Sequence, residues 1–316
     1  MYKRMENKQI SMNKKQNYIR ELAKKNNAII LAHYYVADEI QEIADFLGDS
    51  LYLTQRAKEA KNDVILFCGV NFMAETTKTL NPTKKVLVPD NYANCSLADN
   101  FDVQDCVEWK SQFKNPYLIT YINSSTEIKS VSDIICTSSN AINIVRNAPK
   151  DATLLFAPDI NLGSWLNKKL GIDMKLWNGN CVVHHNYSEE ALKKMIKENP
   201  KAEVVAHPEC TGNILQYANF VGSTTGIINY AKQSNNDIFI VLTEEGVRRK
   251  LKLESPSKTF LFVPNKNLEQ NICHDMKRHN LDKVITALET LSPEIEINEK
   301  IRTAAAVPLE RMLEVF

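Results

Sequence analysis

The chain has 316 residues, 44% apolar and 24% charged, with Lys+Arg 39 against Asp+Glu 38 and a net charge of +1. This is the composition of a soluble globular protein. It supplies no global field for nucleic acid or for an anionic membrane, so any anion must be held locally. No apolar run approaches the ~20 residues of a membrane span, and the basic start MYKRMENKQISMNKKQ lacks the apolar centre of an export signal. Seven cysteines, an odd count without an export signal, point to a cytoplasmic protein with free or metal-bound thiols.

In chain order, residues 17–26 put Ile19, Leu22 and Ala23 at helical spacing, so a helix leads into the first strand. The apolar run 28–32 predicts a strand buried on both faces. Ile40, Ile43, Ala44 and Leu47 predict an amphipathic helix opened by Asp38 as N-cap. Strands follow at 64–67 and 85–88 with a helix over 71–80 between them. The next stretch repeats the order, with a helix at 103–114 and strands at 117–122, 134–136, 153–156 and 174–176. Helices are expected between them, near 139–147 and 161–170. Ser188 then caps SEEALKKMIKEN, and strands are expected at 202–206, 238–242 and 259–263. The tail 298–316 reads as a terminal helix or two.

One outline recurs. The stretch 30–50 (ILAHYYVADEIQEIADFLGDS) runs from an apolar strand through His33 and Tyr35 to Gly-Asp-Ser. LITYIN at 118–123 leads in the same way to Cys136-Thr137-Ser138-Ser139, and VVAHPE at 204–209 leads to Gly222-Ser223-Thr224. His33, Tyr121 and His207 are spaced 88 and 86 residues apart, and Ser50, Ser138 and Thr224 keep the same intervals. A period this long marks duplicated domains, not a solenoid. The expected organisation is α/β: three homologous α/β/α domains with short parallel sheets about a pseudo-threefold axis. Their spans are 18–97, 98–186 and 187–275. A flexible extension, 1–17, precedes them and a helical segment, 276–316, packs on the body.

Ligands bind beyond the carboxyl ends of strands in open parallel sheets. His33/Tyr35, Tyr121/Asn123 and His207/Glu209 stand at that edge, and Ser50, Ser138 and Thr224 stand where helices begin, ready to hold an anion. Taken singly, such hydroxyls are ordinary caps and such histidines ordinary polar residues. Their recurrence at one position argues for a pocket for a small, multiply anionic substrate.

Cys68, Cys106, Cys136 and Cys210 read as buried small hydrophobes. Cys95, Cys181 and Cys273 each follow the last strand of a unit in an Asn-rich turn, so the symmetry that gathers the strand ends can gather them too. Three thiolates suit a Cys₃ zinc site or a cubane iron–sulfur cluster with one open iron. His184 and His185 are rival ligands, of which adjacent placement allows at most one.

The motifs AHYYVADEIQEIADFLGDS, FCGVNFMAETTK, PDNYANCSLAD, TYINSS, CTSSNA, APDINLG, WNGNCVVHH, AHPEC, GSTTGI and CHDMK resemble those of the quinolinate synthases from about Tyr18 onward. The resemblance implies a condensing transferase of de novo NAD biosynthesis that joins iminoaspartate to dihydroxyacetone phosphate. It implies a [4Fe–4S] cluster on Cys95, Cys181 and Cys273. It implies substrate contacts from His33, Tyr35, Ser50, Tyr121, Asn123, Ser138, His207, Glu209 and Thr224, with Glu209, Tyr35 and His33 moving protons. An L-aspartate oxidase or aspartate dehydrogenase would be the transient partner supplying the imine. His274 stands where the family often has proline, and 269–272 holds no extra cysteine for a thiol switch. An iron–sulfur hydro-lyase and a non-catalytic iron or redox sensor are the alternatives. Consumption of dihydroxyacetone phosphate separates the first, and three polar strand ends that a sensor does not need argue against the second.

Overall fold

The computed structural model describes the backbone of residues 2–315 and the side chains of 13–315. The chain divides into two compact units, one comprising 1–94 with 274–297 and the other 95–273 with 298–316. Among the described residues the first holds one four-stranded sheet and the second holds two, and the strands within each sheet run parallel.

In the first unit the strands are β1 (Ala28–His33), β2 (Phe46–Gly48), β3 (Val64–Cys68) and β4 (Lys85–Leu87), in the order β2-β1-β3-β4. The apolar run of β1 is central because both its edges pair, and Ile30, Leu31, Leu66 and Phe67 are buried as a doubly covered sheet requires. The expected amphipathic helix over 38–47 is cut short to Asp38–Gln41, with Ala37 and not Asp38 in the capping position. The reason lies in Asp45, whose carboxylate accepts the Ile30 N–H at 2.8 Å while its own N–H donates to the Ile30 carbonyl. That pair docks Phe46–Gly48 as an edge strand. The helix Asn71–Leu80 has the predicted bounds. The first helix runs over Tyr2–Lys25, longer than the sequence pattern indicates, and packs on the helix Leu281–Thr290. The expected flexible extension falls largely on residues outside the described side chains.

Segment 274–297 is sewn to the first unit by polar contacts. Glu294 bridges antiparallel to Leu87, and Asp90 pairs with Lys283 at 2.6 Å and Arg278 at 3.5 Å. Burial opposes the Asp90 charge, but hydrogen bonds from Lys283 and the Tyr92 N–H, together with the two cations, hold its carboxyl below the ordinary 3.8. A depressed carboxyl stabilises the fold above its unfolded value, and that stability is lost as pH falls through the folded value. Asp90→Asn is therefore expected to be less stable than wild type at neutral pH, with the gap closing below about pH 3.8. Urea titrations at several pH values measure it, and a gap independent of pH would remove Asp90 from the acid response.

The second unit repeats the strand order twice. Its sheets are β5 (Pro116–Tyr121), β6 (Ile134–Cys136), β7 (Thr153–Ala157) and β8 (Lys175–Leu176), ordered β6-β5-β7-β8, and β9 (Glu203–Ala206), β10 (Phe220–Val221), β11 (Ile238–Leu242) and β12 (Thr259–Phe262), ordered β10-β9-β11-β12. The Asp45 device also recurs. Asp133 accepts the Leu118 N–H at 2.8 Å and Asn219 accepts that of Val204 at 2.8 Å, each returning its N–H to the same residue. Phe101, Leu118, Ile128 and Leu155 fill one core, flanked by Trp109 and Trp177, and Leu192, Val204, Ile240 and Leu242 fill another. Ser188 caps the helix Glu189–Glu198 as expected, accepting from the Ala191 N–H. The helix Glu299–Glu314 packs on Thr126–Ser130 and on β6 within this unit.

Candidate metal centre and active site

Each central strand delivers a polar residue at its carboxyl end. His33 and Tyr121 end β1 and β5, and His207 follows β9. The neighbouring strand then sets the hydroxyl. Gly48 pairs with His33 and Cys136 with Tyr121, so Ser50 and Ser138 both stand two residues beyond the pairing. In the third sheet the Gly222 N–H donates to Ala206, which puts Thr224 in the same relation.

Their relation to helices differs from the expectation. Ser50 and Thr224 are the first residues of Ser50–Glu59 and Thr224–Gln233, but Asp49 and Ser223 do the capping. Ser138 lies ahead of its helix, Ala141–Arg146, whose cap position is Asn140. Asn140 instead closes the turn, its Oδ1 accepting the Thr137 N–H at 2.7 Å. Ser138 therefore presents a hydroxyl from a turn, not from a helix end.

In the first unit, His33 and Tyr35 meet edge to face with ring centroids 4.4 Å apart, and the Tyr35 N–H donates to His33 Nδ1 at 3.2 Å. The Tyr35 carbonyl accepts from Lys277 of the CHDMK box. Both rings are buried.

The second unit gathers the chemistry. Glu209 is 2% exposed, and its Oε2 lies 2.7 Å from His184 Nδ1 and 3.2 Å from His207 Nδ1. The two imidazoles stack at 4.5 Å. Their outer nitrogens are held by hydroxyls: His184 Nε2 by Thr243 at 3.2 Å and His207 Nε2 by Ser138 at 3.2 Å. Glu209 Oε1 is buried without a hydrogen-bond partner. Burial opposes ionisation of Glu209, yet the imidazoles of His207 and His184 outweigh it and hold the carboxyl well below the usual range.

Cys181 Sγ lies 3.4 Å from His184 Nδ1, and Cys181, His184 and Glu209 offer ligand atoms within 4.8 Å of one another, a group that can hold a metal ion. Burial pushes the Cys95 thiol up to about 12, partly offset by the Ala98 and Leu97 N–H groups, with the Cys273 and Glu209 charges adding to the rise. Burial and the Glu209 charge likewise raise Cys181 well above its ordinary value, with Cys95 contributing. Cys95 thus senses the Cys273 charge and Cys181 senses the Cys95 charge. Asn271 also ties the last two loops, its amide donating to the Val183 carbonyl at 2.8 Å. This is a soft sulfur donor set with a carboxylate beside it, and a bound cation would reverse the penalty on every thiolate. The residues fit an iron–sulfur group.

Of the two adjacent histidines, His184 faces the site. His185 is turned to Asn161, at 3.1 Å. The sequence reading passed over Asp159, Glu244 and Thr243, all fully buried beside these groups. Tyr121 is buried and Asn123 half-buried at the end of β5.

Comparison with known proteins places the chain in a family. Residues 17–314 match the family model described as Quinolinate synthetase A protein. A quinolinate synthase of Gloeothece citriformis is 47% identical over 298 residues, 94% of this chain and 92% of the relative. One from Synechocystis sp. is 48% identical over 296 residues, 93% of each chain. No helix among the described residues is long and apolar enough to cross a membrane. The chain is an enzyme, and it belongs to the quinolinate synthase family.

Proposed function

We propose that this enzyme makes quinolinate for NAD biosynthesis by condensing iminoaspartate with dihydroxyacetone phosphate, releasing phosphate and two waters. The observation that carries the reading is the grouping of Cys181 with His184 and Glu209, beside His207, in the unit that also holds Cys95 and Cys273. Cys95, Cys181 and Cys273 would hold a [4Fe–4S] cluster. Its open iron would supply Lewis acidity toward a substrate oxygen.

The chain's own residues would do the rest. Ser50, Ser138 and Thr224, at equivalent positions beyond the strand pairings, suit the carboxylates and phosphate of the substrates. Tyr121 and Asn123 occupy in the second sheet the positions of His33 and Tyr35 in the first and of His207 and Glu209 in the third. Glu209 Oε1 is the free acceptor for a substrate proton, since a buried oxygen without a partner is costly until a donor arrives. His207 lies in a relay from Glu209 Oε2 to the Ser138 hydroxyl. His33 and Tyr35, held against each other, are the further proton-transfer candidates.

Cys181, His184 and Glu209 also favour a second reading, a mononuclear divalent metal. Iron and sulfide analysis separates the two. Anaerobically reconstituted protein, given dihydroxyacetone phosphate and an oxidase acting on aspartate, is expected to yield quinolinate by mass spectrometry. Intact cluster without product would discard the condensation and favour a hydro-lyase. One metal without sulfide would favour the mononuclear site.

A further inference from the structure

Two buried carboxylates grip two of the three cysteine loops in the same way. The pairings Thr120–Ala157 and Ala206–Leu242 put Asp159 and Glu244 at one register position, two residues beyond the strand. Each is fully buried. Asp159 Oδ1 accepts the Leu162 N–H at 2.7 Å, capping the helix Ile160–Leu170, while Oδ2 accepts the Cys181 N–H at 3.0 Å. Glu244 Oε2 accepts the Gly246 N–H at 2.6 Å, while Oε1 accepts the Cys273 N–H at 3.1 Å.

One oxygen thus serves the local turn and the other serves a cysteine 22 or 29 residues away. Only a carboxylate accepts at both ends, because an amide has a single acceptor oxygen. A local cap alone needs no charge and no burial, and Asn caps as well as Asp. The Cys181 loop is also drawn close by backbone. Gly179 exchanges hydrogen bonds with Pro158 and Ile160, and a Cβ on Gly179 would lie 2.5 Å from the Pro158 carbonyl oxygen. In the first unit the pairing Ala32–Cys68 puts Val70 at the matching position, and Val70 has no side-chain acceptor. Loop 91–94 is held there by Asn71, whose amide donates to the Asn91 carbonyl at 2.7 Å and to Asn94 Oδ1 at 2.8 Å.

We propose that Asp159 and Glu244 are positioning residues that clamp the Cys181 and Cys273 loops in ligand geometry before the cluster binds. The inference rests on the reading of those cysteines as cluster ligands. Clamping two loops lowers the ordering cost that metal binding must otherwise meet, and groups behind metal ligands affect affinity in this way.

Asp159→Asn and Glu244→Gln test it, because each keeps the local acceptor and replaces the second acceptor with a donor aimed at the cysteine N–H. Asp102→Asn, at an exposed cap elsewhere, is the control. In the metal-free chain, alkylation by iodoacetamide resolved by mass spectrometry is expected to change about fivefold or more at Cys181 in the first variant and at Cys273 in the second. Cys95 keeps its wild-type rate in both. After reconstitution, iron loss to a chelator is expected to accelerate about 10- to 100-fold. The wild-type chain alone supplies a further measurement, since the Cys181 and Cys273 amides are expected to exchange slowly with solvent. Unchanged alkylation, or fast exchange at both amides, overturns the clamp. Failure of the wild type to take up iron and sulfide overturns the cluster reading instead, whereas unchanged alkylation with normal uptake overturns the clamp alone.

Discussion

Replacing Cys181 with alanine is expected to remove the proposed iron–sulfur cluster and the proposed quinolinate formation, leaving the protein folded. Cys181 Sγ stands 3.4 Å from His184 Nδ1 in the group that also contains Glu209. Loss of one of three proposed thiolate ligands is expected to release a cubane, and Lewis acidity is worth several kcal/mol, or about 10³-fold and more in rate. Iron and sulfide per chain should fall to a small fraction of wild type. The backbone of Cys181 keeps its hydrogen bond to Asp159, so the loop survives the change. Cys68→Ala is the matched control. Cys68 is fully buried at the end of β3, where burial alone raises its thiol, and its loss should cost stability but not metal. Full iron and sulfide content with normal turnover in Cys181→Ala would sink the ligand assignment.

Glu209→Gln is expected to keep the proposed cluster and lose turnover by about 10²- to 10⁴-fold, the usual worth of a positioned proton-transfer group. The amide has the same shape, so the stacked His184 and His207 remain covered. What changes is charge and acceptor count. Oε2 is shared between two imidazoles and Oε1 is free, and an amide replaces one of these acceptors with a donor. Burial opposes the Glu209 charge, but the neighbouring imidazoles outweigh it and hold the carboxyl well below the usual range. A neutral substitute removes that charge at every pH. An unchanged visible absorption spectrum with lost product formation would assign Glu209 to the chemistry. Unchanged turnover would remove it, and lost absorption would make it a support of the iron centre.

The long apolar runs were readable because a strand buried on both faces tolerates little else, and β1, β3 and β11 lie on the predicted runs to within a residue. The two- and three-residue strands β10 and β2 were not. In 40–47 the apolar spacing satisfied a helix, and the deciding interaction was a side chain reaching a backbone amide 15 residues away. Asp38 and Asp45 look alike in sequence, but only Asp45 has an unpaired strand N–H to accept.

The cysteines and polar strand ends could be singled out as candidates because their 86- to 92-residue recurrence is a property of the chain itself. Asp159 and Glu244 carried a faint signal, an acid two residues beyond an apolar strand in two repeats and Val70 in the third. The sequence by itself determined the repeated α/β unit and its residues, because periodicity and burial pattern are local quantities. Only tertiary structure decided that Glu209 is shared by His184 and His207, that His185 turns away, and that two buried carboxylates hold the cysteine loops. Those contacts join segments from different strands and turns, and hydrogen-bond direction emerges only when both ends are in place.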